Sequence, residues 1–65
     1  MQRFESRIVC KDGLEVMGTH KSLAAARKYC RQRYAMDDGI DWWQVIEILE
    51  DGRRRHYTQD AYEKR

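Results

Sequence analysis

The chain has 65 residues, of which 42% are apolar and 37% are charged, and its formal net charge is +2. This length suffices for one domain, near the lower limit at which a single core offsets the entropy lost on folding. The composition excludes a disordered protein, no stretch approaches the roughly 20 apolar residues of a membrane span, and the N-terminal residues alternate in charge, unlike a signal peptide. We therefore expect a soluble cytoplasmic protein that binds no membrane and whose two cysteines are reduced thiols.

Charge is distributed unevenly along the chain. Residues 1–36 carry eight basic and three acidic side chains, residues 37–52 carry six acidic side chains and neither Lys nor Arg, and residues 53–65 carry five basic and two acidic side chains. Patches of opposite charge steer association and orient a partner. The segregation therefore favours a binding function, although the acidic segment also contains the apolar run WWQVIEIL and must supply part of the core.

The first hairpin is predicted over residues 2–19. In its first arm one face is apolar and the other mostly charged, because Phe4, Ser6, Ile8 and Cys10 alternate with Arg3, Glu5, Arg7, Val9 and Lys11. Asp12-Gly13 then predicts a tight turn, since Asp-Gly is typical of hairpin turns in which both central residues have positive φ.

A helix is predicted over residues 22–36, with Ser22 as its N-cap. At about 100° per residue one stripe is apolar and another face is basic; the stripe contains Leu23, Ala26, Cys30 and Tyr34, and the basic face contains Arg27, Lys28 and Arg31. Asp37-Asp38-Gly39 is expected to end the helix, with Gly39 in the left-handed conformation. The helix should pack on a sheet through its apolar stripe and expose its basic face.

The second hairpin is predicted over residues 42–58, around Asp51-Gly52. Its first arm also matches helical spacing, but strand is favoured because the run is rich in Trp, Val and Ile and leads into an Asp-Gly turn. As a strand it has apolar residues on both faces. Either a β-bulge or long side chains from a neighbouring strand cover the second face, or that face, with Trp42, Ile46 and Ile48, is an interface with a second copy or a partner.

The predicted order is therefore β-β-α-β-β in a single small domain of the α+β class. Short connections favour an antiparallel sheet, with the one helix packed on one of its faces. Residues 59–65 form a short C-terminal tail.

Catalytic and metal-binding patterns are weak. The possible zinc ligands lack the paired spacing of zinc modules; they are Cys10, His20, Cys30 and His56. Both cysteines occupy apolar positions and are expected to be small buried hydrophobes. A nucleophilic site would need a cysteine or serine beside a histidine, oriented by a third group, and the aspartates at 37, 38 and 41 lack the ordered loop of a calcium site. We expect no metal, no cofactor and no enzymatic activity.

The basic side chains are the candidate site. Guanidinium groups bind phosphate oxygens in bidentate fashion, and aromatic rings stack on bases. The predicted contact residues for a partner or nucleic acid are Arg27, Lys28, Arg31, Arg53, Arg54, Arg55, Trp42 and Tyr57. Two alternatives remain open besides a protein or nucleoprotein partner: a free-standing DNA- or RNA-binding module and a homodimeric interaction protein. The sequence pI near 8.7 is below the values typical of dedicated nucleic-acid-binding domains.

Three segments resemble small phage-encoded anti-CRISPR proteins of hairpin–helix–hairpin architecture. They are SLAAARK at 22–28, the Trp- and Ile-rich strand through Ile48, and EDGRR at 50–54. The resemblance implies a stoichiometric inhibitor encoded by a phage or mobile element, acting in the cytoplasm of a host bacterium. Several such inhibitors occupy the guide-RNA or target-DNA surface of a CRISPR effector, which makes the basic residues at 27, 28, 31 and 53–55 the implied contacts.

Overall fold

The computed structural model describes residues 3–58, in which four strands and one helix follow one another in the predicted order. The strands are β1 (Arg3–Cys10), β2 (Glu15–His20), β3 (Ile40–Ile48) and β4 (Arg54–Thr58), and helix α1 (Leu23–Met36) lies between β2 and β3. The α+β class and the β-β-α-β-β order are confirmed. The expected tail at 59–65 and the first residue of the first hairpin lie outside the described residues.

The strands form one antiparallel sheet in the order β2-β1-β3-β4. Each short turn pairs consecutive strands, β1 with β2 and β3 with β4, and the helix carries the chain across β1. As a result β1 and β3 are central strands, whereas β2 and β4 are the two edges. Within the described residues, no helix has the length and apolarity that a membrane span requires.

The ambiguous apolar run is a strand. It belongs to β3, which pairs with β1 along its length and with β4 from Gln44 to Ile48, and which begins at Ile40, two residues before the predicted start. Burial on both faces explains the mixed pattern, because the helix covers one face of β3 and long side chains of neighbouring strands cover much of the other. The register of β1 against β3 shifts between Val9 and Cys10, because Asp41 of β3 has no partner on β1.

The two Asp-Gly turns are built alike. In the first, Gly13 N donates to Cys10 O (2.9 Å) and Cys10 N to Leu14 O (2.8 Å); in the second, Gly52 N donates to Leu49 O (3.0 Å) and Leu49 N to Arg53 O (2.8 Å). Only the glycines have positive φ, 94° and 89°, so the expectation of two positive-φ residues is wrong. Each turn is instead a three-residue loop ending in a left-handed glycine.

The helix begins and ends at the predicted residues, but the turn after its last residue is closed differently. Ser22 Oγ accepts a hydrogen bond from Ala25 N at 3.1 Å, which confirms the N-cap. At the other end Gly39 is not left-handed; Asp37 is extended, with φ −134°, and its Oδ1 accepts from Gly39 N at 2.8 Å. The aspartate side chain closes the turn in place of a helix carbonyl, so a left-handed glycine is not needed.

The core lies between α1 and one face of the sheet, here called the covered face. Its buried residues are Ile8, Ala26, Cys30, Ile40, Trp43 and Val45. Cys30 is buried as expected and Cys10 is half-buried, and both are free thiols. Tyr34 is 40% exposed, contrary to its place in the predicted stripe, because the helix from residue 31 onward is exposed and extends past the core.

The opposite face, here called the open face, has no helix upon it but still buries side chains. Because paired residues of antiparallel strands share a face, Trp42, Gln44, Ile46 and Ile48 all lie there. Ile46, between Glu5 and His56, is only 7% exposed. Long neighbouring side chains therefore cover much of this face, and Trp42, 36% exposed, marks its most accessible large ring.

Candidate binding surface on the helix and second hairpin

One flank of α1 forms a shallow groove, here called the helix groove. It is lined by Ala24, Arg27, Lys28, Arg31, Gln32 and Ala35. Residues spaced by three and four positions are neighbours on a helix surface, and the two alanines leave space between the longer side chains. The predicted basic face is thus one continuous surface, with Gln32 as an additional hydrogen-bonding group.

The helix groove lies on the solvent side of α1, roughly opposite the buried residues Ala26 and Cys30. On the other flank of α1, the Tyr29 ring lies 5.1 Å from that of His20 on β2. Arg27 and Arg31 are each two positions from Tyr29, which places them roughly 160° around the helix from it. They therefore point away from edge strand β2.

The three consecutive arginines point to three different places. Arg53 lies in the turn, where its Nε is 2.6 Å from Asp51 Oδ2. Arg54 lies on the open face opposite Ile48, and Arg55 lies on the covered face opposite Glu47. Because adjacent residues of a strand alternate between faces, Arg55 shares a side of the sheet with the helix groove and Arg54 does not.

A buried carboxylate lies beside Tyr57 and Arg55. Glu47 is 6% exposed, and its Oε1 accepts a hydrogen bond from Tyr57 Oη at 2.8 Å and lies 3.8 Å from Arg55 Nη1. Arg55 Nη1 also donates to Tyr57 Oη at 3.4 Å. The hydrogen bond with Tyr57, together with the nearby charge of Glu47, raises the pKa of the Arg55 guanidinium. Arg55 and Tyr57 therefore already interact with Glu47, and a ligand would have to compete with that carboxylate for them.

The two predicted stacking rings are on opposite faces of the sheet. Trp42 lies on the open face, with the Arg7 guanidinium 5.4 Å from its ring centroid. Tyr57 lies half-buried on the covered face, with its hydroxyl bonded to Glu47. One nucleic-acid strand therefore cannot stack on both rings within a single site, and only Tyr57 is on the side of the helix groove.

Lys28 and Arg31 are the most available cations of the predicted set on this side. Both are exposed, and within the described chain neither forms an ion pair. Arg53 and Arg55, by contrast, are already paired with Asp51 and Glu47. An anionic group entering the helix groove would meet Lys28 and Arg31 without displacing a carboxylate.

A serine and a histidine do meet, on the covered face. Ser6 Oγ is 2.9 Å from His20 Nε2, and Gly18 lies opposite Ser6, where an added Cβ would come within 2.9 Å of that hydroxyl. Ser6 is 0% exposed, and among residues 3–58 no side chain hydrogen-bonds the other ring nitrogen of His20. A hydroxyl that no substrate reaches is not a nucleophile, so the pair joins β1 to β2.

The other candidates for chemistry are the Cys30 thiol and the possible metal ligands. Burial raises the pKa of the Cys30 thiol to about 11, so this thiol stays protonated and unreactive at neutral pH. No three His, Cys, Asp or Glu side chains between residues 3 and 58 are grouped so that they could hold a metal ion.

Sequence reasoning missed part of the site. Ala24, Gln32 and Ala35 extend the basic face at intervals of three and four residues, a signal that was present in the sequence. No local signal identified Glu47 as buried, because its burial involves Tyr57, which lies ten residues further along the chain on β4.

The fold and surface together define a small α+β domain with a basic groove on its helix. Comparison with models of protein families, with curated proteins and with solved structures gives no match to this chain.

Proposed function

We propose that this protein is a non-enzymatic binding protein, encoded by a phage or mobile element, that inhibits or modulates nucleic-acid-handling machinery of a bacterial host by stoichiometric docking, as anti-CRISPR proteins do. The observation that carries the proposal is the helix groove, in which Lys28 and Arg31 are exposed and form no ion pair within the described chain. Such cations suit an anionic surface, whether nucleic-acid phosphates held by the machinery or its acidic side chains.

The burial of two potentially reactive side chains supports a binding role over a catalytic one. The Ser6 hydroxyl is fully buried, and the Cys30 thiol is buried with a raised pKa. A groove of this shallow form along one helix offers contact area without the enclosed pocket in which enzymes exclude water.

Charge reversal in the groove tests this proposal. We expect a Lys28→Glu/Arg31→Glu variant to lose capture of host nucleoprotein complexes from a bacterial lysate. A Lys11→Glu/Arg54→Glu variant is the matched control, because it has the same net charge and changes exposed residues in the first turn and on the open face. Equal capture by both variants and the unchanged protein would contradict the assignment of the groove, and equal loss in both would indicate non-specific charge attraction.

Direct titration with nucleic acid separates the proposal from a free-standing nucleic-acid-binding module. For an inhibitor of the machinery we expect no measurable affinity for random duplex or single strands even at low salt, where electrostatic binding is strongest. A free-standing module would instead bind at low salt, with log K falling against log salt at a slope of about −1.8 if Lys28 and Arg31 each neutralise one phosphate.

A further inference from the structure

The two edges of the sheet are protected very differently. Edge strand β4 places three basic residues in succession, Arg54, Arg55 and His56, and charged side chains are a common protection of exposed strand edges. Edge strand β2 has the sequence EVMGTH, with one carboxylate and neither lysine nor proline. By this criterion the β4 edge is protected against pairing with another strand, and the β2 edge is not.

Exposed apolar side chains concentrate beside the unprotected β2 edge. Leu14 in the first turn is 66% exposed, Val16 is 43% exposed and Met17 is 52% exposed. These are half of the six large hydrophobic residues exposed between residues 3 and 58, although β2 and its turn are a small part of the chain. Clustered exposed apolar residues at a strand edge are typical of an interface.

The register shows which backbone groups of β2 are available. Cys10 N donates to Leu14 O at 2.8 Å, and hydrogen-bonded and non-hydrogen-bonded pairs alternate along an antiparallel ladder. Counting from that bond, the residues of β2 that bond to β1 are Val16, Gly18 and His20, opposite Ile8, Ser6 and Phe4. The N–H and C=O groups of Glu15, Met17 and Thr19 therefore point outward, away from β1.

We infer that β2 pairs with β2 of a second copy of this chain, antiparallel about a two-fold axis at Gly18, to form a continuous eight-stranded sheet. In this register the outward backbone groups of Met17 bond those of Thr19 in the second copy. Glu15 lies opposite Lys21 of the second copy, and the symmetry repeats this contact of opposite charges. Antiparallel pairing centred on Met17 would place Glu15 opposite Thr19 instead and lose both charge contacts.

The residues at the axis suit close approach. Opposed residues of a non-hydrogen-bonded antiparallel pair have Cα atoms about 4.5 Å apart, and Gly18 lacks a side chain at this position. Glu15 is held on the open face by Arg7, whose Nε is 2.7 Å from Glu15 Oε1. Lys21 is exposed and forms no ion pair within the described residues. The carboxylate has a second oxygen for this lysine.

Charge complementarity selects a second copy over an unrelated peptide as the occupant. Any extended chain can bond the outward backbone groups, but β2 itself presents a negative residue at one end and a positive residue just beyond the other. Antiparallel self-pairing satisfies both ends at once. The helix groove lies on the solvent side of α1 and not at the β2 edge, so this dimer leaves both grooves accessible and does not depend on their proposed use.

Sedimentation equilibrium from low to high micromolar concentration tests the dimer. We expect the unchanged protein to dimerise, and the Lys21→Glu and Glu15→Lys variants each to dimerise at least roughly tenfold more weakly, because each places like charges opposite one another twice. Lys11→Glu, which changes an exposed residue of the same hairpin away from the interface, is the control and should dimerise as the unchanged protein does. Circular dichroism confirms that each variant is folded.

Mixing the two weakened variants gives the sharpest outcome. Lys21→Glu mixed with Glu15→Lys restores opposite charges at both contacts, so we expect a heterodimer at concentrations where each variant alone is monomeric. A monomeric unchanged protein at all concentrations would overturn the inference. A mixture that stays monomeric would also overturn it. Assembly beyond a dimer would overturn it as well, because the proposed dimer leaves neither β2 edge unpaired.

Discussion

The covered face and the open face of the sheet both bury side chains, but they do so with different neighbours. On the covered face, Trp43 and Val45 are 0% exposed because the helix lies over them. On the open face, Ile46 reaches 7% exposure between the side chains of Glu5 and His56. A small domain can therefore bury both faces of a central strand with one helix, provided that long polar side chains cover the second face.

The pair Trp42 and Trp43 makes the contrast sharpest. They are adjacent in sequence and identical in type, yet one is 36% exposed beneath Arg7 and the other is fully buried beneath the helix. Burial on this strand depends on the face toward which a residue points and not on its hydrophobicity alone.

The largest expected effect separates these two tryptophans. Trp43→Ala should lower the free energy of unfolding by about 3–5 kcal/mol, because it leaves a cavity in the core, whereas Trp42→Ala should cost about 1 kcal/mol, mostly from its contact with Arg7. Urea unfolding followed by circular dichroism measures both. Should Trp43→Ala fail to fold, Trp43→Phe gives the same ranking, and equal losses at the two positions would show that the faces do not differ.

An intermediate effect is expected at Gly18 on the covered face. Gly18→Ala should cost about 1–3 kcal/mol, since its Cβ would lie 2.9 Å from Ser6 Oγ and displace the bond to His20. Ser6→Ala removes the obstructing hydroxyl, so the double variant should lose less stability than the two single losses added together. Strict additivity would contradict the contact. Thr19→Ala, the adjacent position on the open face, is the control and should cost less than about 1 kcal/mol.

The smallest effect is expected from the ion pair on the open face. The hydrogen bond from Arg7 lowers the pKa of the Glu15 carboxyl below its ordinary value of 4.5. A carboxyl whose pKa is lowered by folding stabilises the protein above pH 4.5, and this contribution is lost as the pH falls through the folded-state pKa. The effect on stability should be small because the pair is exposed.

An NMR titration of the Glu15 carboxyl measures this directly. In the unchanged protein the carboxyl should titrate at lower pH than in Arg7→Met, in which the pKa returns toward its ordinary value. Arg54→Met, on the same face but near Ile48, is the matched control and should leave the titration unchanged. A Glu15 titration that is insensitive to Arg7→Met would show that the open face is not organised by this pair.

Features that depend on near neighbours along the chain follow from the amino-acid sequence alone. Ser22 caps the helix through a bond to a residue three positions on, and each Asp-Gly pair forms a turn closed within five residues. The alternation of β1 likewise predicted which of its residues face the helix, because the faces of a strand follow from its geometry. Even here the backbone differed in detail: only the glycine of each turn has positive φ, and Asp37 rather than Gly39 reverses the chain after the helix.

Features that depend on pairing between distant segments could not be predicted without the folded arrangement of the strands. The run from Trp42 to Leu49 matched both strand and helix patterns, and pairing with β1 and β4 on either side made most of it a strand. The same register sent Arg54 and Arg55 to opposite faces, bound Arg55 to buried Glu47, and left Lys28 and Arg31 as the available cations of the helix groove. Strand order also made β2 an edge, since hydrogen bonding between strands is fixed by contacts far apart in sequence.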